Sequence, residues 1–435
     1  MNFPLSSILI CKRKEACAIP ELRYGCTTVS LELPSGRTYD TLTYGLEALE
    51  TSPQLSQNRI REALAAPIGA KRLRELAKAT SQAVILISDG TRLCPTGLLL
   101  PPLLEELNAA GLGDDQVDIV VALGAHRKHT PDELKRLVGA EIYARVRVHN
   151  HSAASEDCVY MGTTSLGTPV EINRMVAETP LRIATGNIEP HAMVGISGGV
   201  KALVPGVASK RTIESHHALS LTYKAVPGDP HNPLHLDLEE AEQLVPIHFL
   251  LNVIVDHNRH VLKAVAGHPA EAHRKGAEFA AGWFTRQVTE LYDVVVVSAG
   301  GAPKDLQMYQ ALKALRNAAA FVKPEGTLLL VAECPEGMGN GLFQHWIETM
   351  GDRRKMTDKL RERFVLGAHK ILHVEEVLSR ARVFIYSSLP RHLIELLGFY
   401  PAEDLNATAQ ALLQDPDAKL ALMPFGSLTY PRHHH

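Results

Sequence analysis

From about residue 80 onward, short apolar, β-branched runs alternate with helix-like stretches, and this rhythm constrains the chain more than any other feature. AVILI (83–87), VDIVVAL (117–123), a run at 145–148 and LRIAT (181–185) are too short for helices and apolar on both faces. Such runs predict parallel strands covered by helices on both sides. A second series opens at Asp293 with DVVVVSAGGAP and continues through TLLLVAE (327–333) and RVFIYS (382–387). The expected fold is α/β: two α/β domains with mainly parallel sheets and an interdomain active-site cleft. The 435 residues are enough for two such cores. The expected layout is a first domain over 1–270, a crossing helix over 271–290 and a second domain over 291–400. A helical tail over 401–432 packs back on the first domain, and the histidines at 433–435 read as a tag remnant.

Each early strand empties into a polar cluster: SDGTRLCP (88–95), GAHRKHT (124–130), HNHS (149–152) and GNIEPH (186–191). In open parallel sheets ligands bind beyond the carboxyl ends of the strands, so these clusters converge on one edge. Thr130, Pro131 and Glu133 predict a capping box that starts a helix, and Gly111 closes the preceding one. On residue type alone, Asp89 reads equally as an Asx turn or a ligand contact. His126 reads as a loop histidine or an acid/base, and His149 and His151 as structural.

The stretch 186–217, GNIEPHAMVGISGGVKALVPGVASKRTIESHH, places His191, Lys201, His216 and His217 among glycines. A cluster such as Gly195, Gly198 and Gly199 can let backbone N–H groups nest a phosphate-bearing ligand. It is not a Walker A loop, because Val200 precedes Lys201 and Ala202 follows it. His231 and His235 are four apart, but Pro233 between them disfavours a regular helix there. SAGG (298–301) lacks the G-x-G-x-x-G spacing of a dinucleotide fingerprint. CPEGMGN (334–340) reads as a flexible loop, and GAHK (367–370), with His369 and Lys370, as a segment facing the cleft.

The pattern EPH, SGG-x-K, PG-x-AS and a late histidine resembles the lactate racemase family, the nickel-pincer-nucleotide enzymes. SD-x-TR at 88–92, G-x-HR at 124–127 and GG-x-P-x-D-x-x-x-YQ-x-x-K at 300–313 match further motifs of that family. The resemblance implies a cofactor-dependent 2-hydroxyacid racemase or epimerase. Lys201 would carry the nickel-pincer nucleotide covalently and His217 would ligate its nickel. Asp89, Gly90, Thr91 and Arg92 would hold the cofactor, with Arg92 also on the substrate. His126 and His191 would be the two acid/bases, and Tyr309, Gln310 and Lys313 would contact the substrate. Near GAHK the chain departs from the family, whose tryptophan over the active site is matched by neither Trp283 nor Trp346.

The implied reaction takes the C2 hydrogen as hydride, through a 2-oxo acid, which avoids a dianionic enediolate. Two opposed imidazoles suit it, since each enantiomer needs a base near its own hydroxyl. Two other functions fit the same residues: a non-catalytic nucleotide-type ligand-binding or sensor homologue, and a metal-dependent lyase or isomerase without the pincer cofactor.

Composition narrows the partners. A net charge of −3 gives no electrostatic reason to expect nucleic acid or a membrane surface. That leaves small molecules as the expected ligands; the resemblance implies a 2-hydroxy acid substrate and, transiently, cofactor-synthesis enzymes as partners. Cys11, Cys17, Cys26, Cys94, Cys158 and Cys334 form no C-x-x-C pair, which suits a reducing cytoplasm. The apolar run Phe3 to Cys11 is too short to span a bilayer and lacks the basic start of a signal peptide.

Overall fold

The computed structural model describes residues 19–45 and 49–432. The Phe3 to Cys11 run, Cys17 and the histidines at 433–435 lie outside the described residues. The chain divides into two compact units: one of residues 45–285 with 364–366, the other of residues up to 44, 286–363 and 367 onward.

The first unit is built on a six-stranded sheet in the order Val261–Gly267, Phe249–Val255, Leu181–Asn187, Ala83–Ser88, Val117–Ala122, Arg147–Asn150. Five strands run parallel, and Val261–Gly267 alone is antiparallel to its neighbour. The apolar runs became these strands because both faces are covered: Val84, Ile85, Leu86 and Ile87 are fully buried. From the central Ala83–Ser88 strand the chain first builds outward through two strands on one side, then crosses to Leu181–Asn187 on the other. The strand order therefore reverses between Ala83–Ser88 and Leu181–Asn187, and SDGTR and GNIEPH leave the sheet at that switch point.

The capping box forms as expected. Glu133 N–H donates to Thr130 Oγ1 (3.3 Å), Thr130 N–H donates to Glu133 Oε2 (2.8 Å), and the helix Pro131–Val138 follows. Pro233, by contrast, does not prevent a helix; it starts one. Asn232 caps the helix Pro233–Leu244 and Pro233 takes the first turn, where its missing N–H costs nothing. His235 is thus helical while His231 lies before the cap.

The second unit is organised on another six-stranded parallel sheet, in the order Tyr400–Pro401, Ala381–Tyr386, Val322–Val331, Tyr292–Ser298, Leu420–Met423, Asp40–Thr41. This layout corrects three boundaries. The helix Pro269–Phe284 is no linker, because it packs on the Phe249–Val255 and Val261–Gly267 strands of the first unit. The segment 401–432 does not return to the first unit but supplies the Leu420–Met423 strand to the second sheet. Residues 19–44 also belong to the second unit: Leu22, Leu31 and Tyr39 are buried with Val294, Val296, Leu329 and Leu422. A two-residue strand such as Asp40–Thr41 has no periodicity to read, which is why this link is silent in the sequence.

The CPEGMGN stretch is not a loose loop either. Cys334 and Met338 are buried, and the carbonyls of Gly337 and Met338 accept from Met308 and Tyr309 N–H at the start of the helix Met308–Ala319. It satisfies donors that the first helical turn leaves open. No helix among the described residues is long and apolar enough to cross a membrane.

Candidate active site

At the switch point of the first unit, Asp89 is 3% exposed yet ionic. Its Oδ1 accepts from Thr91 N–H (2.7 Å) and the Thr91 hydroxyl (2.5 Å). Its Oδ2 meets His126 Nδ1 at 3.2 Å and Arg92 Nε at 3.6 Å. Burial alone would raise this carboxyl. The charges of His126 and Arg92, with hydrogen bonds from His126 and Thr91, outweigh it and hold Asp89 well below the usual carboxylate range. An ionised Asp89 can only accept, so whenever the His126 ring carries a single proton that proton sits on Nδ1 and Nε2 keeps its lone pair.

His191 has the opposite arrangement. It sits in a two-residue strand, Pro190–His191, paired antiparallel with Gly195–Ile196. Its Nδ1 accepts from the N–H groups of Met193 (3.2 Å) and Val194 (3.4 Å), so the neutral ring carries its proton on Nε2. In their singly protonated forms one imidazole thus presents a lone pair at Nε2 and the other an N–H.

Lys201 lies, half-buried, in the short 3-10 turn Gly199–Ala202, and the packing around its amine changes its chemistry. Loss of hydration lowers the ammonium to about 7, the Arg92 charge pushes it the same way, and Glu189 opposes both. A pKa lowered this far raises the uncharged, nucleophilic share of the amine near neutral pH. Arg92 joins the two halves of the site, acting on Asp89 from one side and on Lys201 from the other.

The glycines around Lys201 serve packing more than anion binding. Gly198 and Gly199 have φ of +79° and +57°, and a Cβ on them would stand 2.7 Å from Asn252 Oδ1 and 2.8 Å from the His273 ring. The expected nest has few donors to offer: Gly199 N–H donates to Asn252 Oδ1 (2.7 Å), Ser197 N–H to Glu189 O and Lys201 N–H to Gly198 O. Gly90 N–H is likewise committed, to His129 Nε2 at 3.0 Å.

His217 is half-buried in the last turn of the helix Lys210–Ala218, its ring edge-on to that of His216 at 5.7 Å. His216 is fully buried and donates Nε2–H to Leu234 O (2.9 Å), which anchors that turn. His149 pairs with Asp118 (2.8 Å) and His151 with Ala208 O (2.9 Å), so both tie strand ends together. His235 is fully buried and stacks on His273 with ring centroids 5.4 Å apart. Burial and the neighbouring positive charges lower it to about 2, which keeps it a neutral packing ring. Among the described residues no group of three or more His, Cys, Asp or Glu side chains is arranged to hold a metal by itself.

Four supporting residues escaped the sequence reading. Asn252 holds Gly199, His273 Nε2 donates to Ser197 O (2.8 Å), and Ser197 Oγ bridges Glu189 N–H and Asn187 O. Asn150 clasps His129 through both its backbone groups. A polar residue inside an otherwise apolar strand, as Asn252 is in FLLNVIV, is a signal that could have been used.

In the second unit, Tyr309, Gln310 and Lys313 share the helix Met308–Ala319. Gln310 is 6% exposed, not part of a wet face. Tyr309 packs edge-on against Phe343 and His369, with Lys370 Nζ 4.6 Å from its ring centroid.

Known proteins carry the same organisation. Residues 24–227 match the lactate racemase N-terminal domain and residues 288–427 the lactate racemase C-terminal domain. A lactate racemase of Thermoanaerobacterium thermosaccharolyticum is 30% identical over 421 residues, spanning 93% of this chain and 97% of that protein. One from Lactiplantibacillus plantarum is 32% identical over 307 residues, 70% of this chain and 72% of that protein. The solved lactate racemase apoprotein from T. thermosaccharolyticum superposes with a TM-score of 0.84, covering 95% of this chain and all of that one. A Thermotoga maritima protein at 16% identity and TM-score 0.67 shares the fold. The chain belongs to the lactate racemase family and is an isomerase of the racemase type.

Proposed function

We propose that this enzyme inverts C2 of a 2-hydroxy acid, lactate or a larger acid, with a nickel-pincer nucleotide attached at Lys201. The observation that carries this reading is the placing of the half-buried Lys201 amine, its pKa lowered, at the sheet's switch point with Arg92 and the Asp89–His126 pair. The residues fit such a group. Lys201 offers an amine able to form a covalent link near neutral pH, and His217 an imidazole of the kind nickel accepts. When bound, the group supplies an acceptor and donor of hydride.

The protein's part is proton handling and orientation. His126 Nε2 takes the hydroxyl proton of one enantiomer while Asp89 stabilises the imidazolium that forms. On the other face His191, as an imidazolium, returns a proton to the carbonyl oxygen and becomes neutral as His126 becomes charged. Arg92 pairs with the substrate carboxylate, and Tyr309, Gln310 and Lys313 are assigned to the substrate by motif.

The test uses protein made together with cofactor-synthesis enzymes and nickel, offered each enantiomer of lactate and of larger 2-hydroxy acids, with chiral analysis of products. Interconversion with retention of the C2 hydrogen is expected. His126→Ala and His191→Ala should each lower it in both directions by at least about a hundredfold. Solvent deuterium at C2, or peptide mapping that leaves Lys201 unmodified in active protein, would overturn the reading.

A further inference from the structure

In the first unit, two histidines of one loop grip successive residues of the next. His126 Nδ1 meets the Asp89 carboxylate at 3.2 Å, and His129 Nε2 accepts the Gly90 N–H at 3.0 Å. Of the three N–H groups that follow Asp89, two bond within the turn: Thr91 N–H to Asp89 Oδ1 (2.7 Å) and Arg92 N–H to Asp89 O (3.2 Å). The third, of Gly90, reaches outside it to His129. His129 is itself fixed, since Asn150 Oδ1 accepts its N–H (3.0 Å), Asn150 Nδ2 donates to its carbonyl (2.8 Å), and its side chain is 10% exposed.

That bond constrains more than Gly90. A peptide unit is planar, so Gly90 N–H and Asp89 C=O point in opposite directions and can only turn together. Holding the N–H therefore aims the Asp89 carbonyl at Arg92 N–H and fixes the backbone from which the Asp89 carboxylate reaches His126. The bond also sets a chemical condition on the ring. An amide N–H only donates, so Nε2 must be unprotonated and the single ring proton must sit on Nδ1. Glu133 Oε2 lies 3.7 Å from Nδ1, too far for a hydrogen bond but close enough for its charge to favour a proton there. Hydrogen bonds from the Arg127 guanidinium and Thr130 N–H hold the Glu133 carboxyl down at about 2, so that charge is present throughout the neutral range. Each histidine thus has a carboxylate on its Nδ1 side and presents an Nε2 lone pair, one to the site and one to Gly90.

We propose that His129 is a positioning residue for the reaction: its neutral imidazole holds the Asp89–Gly90 peptide, and so keeps Asp89 and Arg92 in register with His126. The proposal rests on the reading of His126 as a base and adds the residue that keeps its carboxylate partner in place. His129 acts through Asp89, whose charge stabilises the imidazolium formed as His126 takes a proton, so its effect belongs to the chemical step more than to substrate binding.

The experiment compares His129→Gln, which puts an accepting oxygen where Nε2 stood, with His129→Leu, which fills the space and accepts nothing. Nitrogen NMR of the full chain labelled in histidine reads the ring protons without cofactor or turnover. In wild type at neutral pH, His129 should carry its proton on Nδ1 alone, and the singly protonated form of His126 likewise. His129→Leu should convert His126 to a mixture with the Nε2–H tautomer, and His129→Gln should not. On cofactor-loaded enzyme, with rates normalised to modified Lys201, His129→Leu should lower kcat for lactate about tenfold or more with a smaller change in KM, and His129→Gln should recover most of it. A proton on Nε2 of neutral wild-type His129 overturns the proposal and needs no variant to fold. Equal losses in the two variants, or a leucine variant that matches wild type, overturn it as well, because the ring would then only pack. A leucine variant that shifts the His126 tautomer in a protein whose wild type racemises no 2-hydroxy acid sinks the racemase reading and leaves the positioning role standing.

Discussion

Lys201 is a residue whose proposed function and stability pull against each other. Its ammonium is lowered from 10.5 to about 7 mainly by loss of hydration, with Arg92 adding to the effect. The unfolded chain binds this proton up to about pH 10.5, while the folded chain releases it near 7. Stability therefore rises with pH across that window: the burial cost is fully present below about 7 and gone above about 10.5. Replacing the amine should expose that cost. Lys201→Met is expected to stabilise the apoprotein against urea by a few kcal/mol at pH 6.5, on the order set by such a shift, and by much less at pH 9.5. An equal gain at both pH values would mean the amine is hydrated and not poised as a nucleophile.

The turn that presents Lys201 is held from outside its own sequence. Gly199 has φ +57° and lies against the His273 ring, so an added methyl meets both strain and a packed neighbour. Gly199→Ala should cost about 1–3 kcal/mol by denaturation and at least about tenfold in cofactor loading, read as Lys201 modification by mass. Gly167→Ala, with φ +87° but open space around it, should cost only the strain and leave loading alone.

At this scale the sequence was legible where structure is local. The strand-end clusters, the Thr130 capping box and the strands of the first sheet all follow from neighbours along the chain. The supports of the turn were not, because Asn252 reaches Gly199 across 53 residues and His273 reaches Ser197 across 76. Periodicity and spacing carry no information about such pairings. The same holds for Pro233, whose effect depends on whether Asn232 caps the helix it begins.

The whole chain is not two domains in series, and its stability follows from that. Residues 19–44 precede the first unit yet complete the core of the second. Leu22 and Leu31 are buried there with Val296 and Leu329, Gly25 N–H donates to Asp305 Oδ2 (2.7 Å), and Arg37 donates to the carbonyls of Asp415 and Pro416. Burying Leu22, Leu31 and Tyr39 contributes about 1.5–3 kcal/mol each, a sum comparable with the net stability of a small domain. Without this segment, Asp305 loses an N–H donor and Leu420–Met423 becomes an exposed sheet edge. A fragment of residues 286–432 should therefore aggregate or unfold without a sharp transition. The same fragment preceded by residues 19–44 on a flexible linker should unfold cooperatively in urea with native-like circular dichroism. Equal cooperativity in the two fragments would show that the amino-terminal segment merely decorates a core already complete.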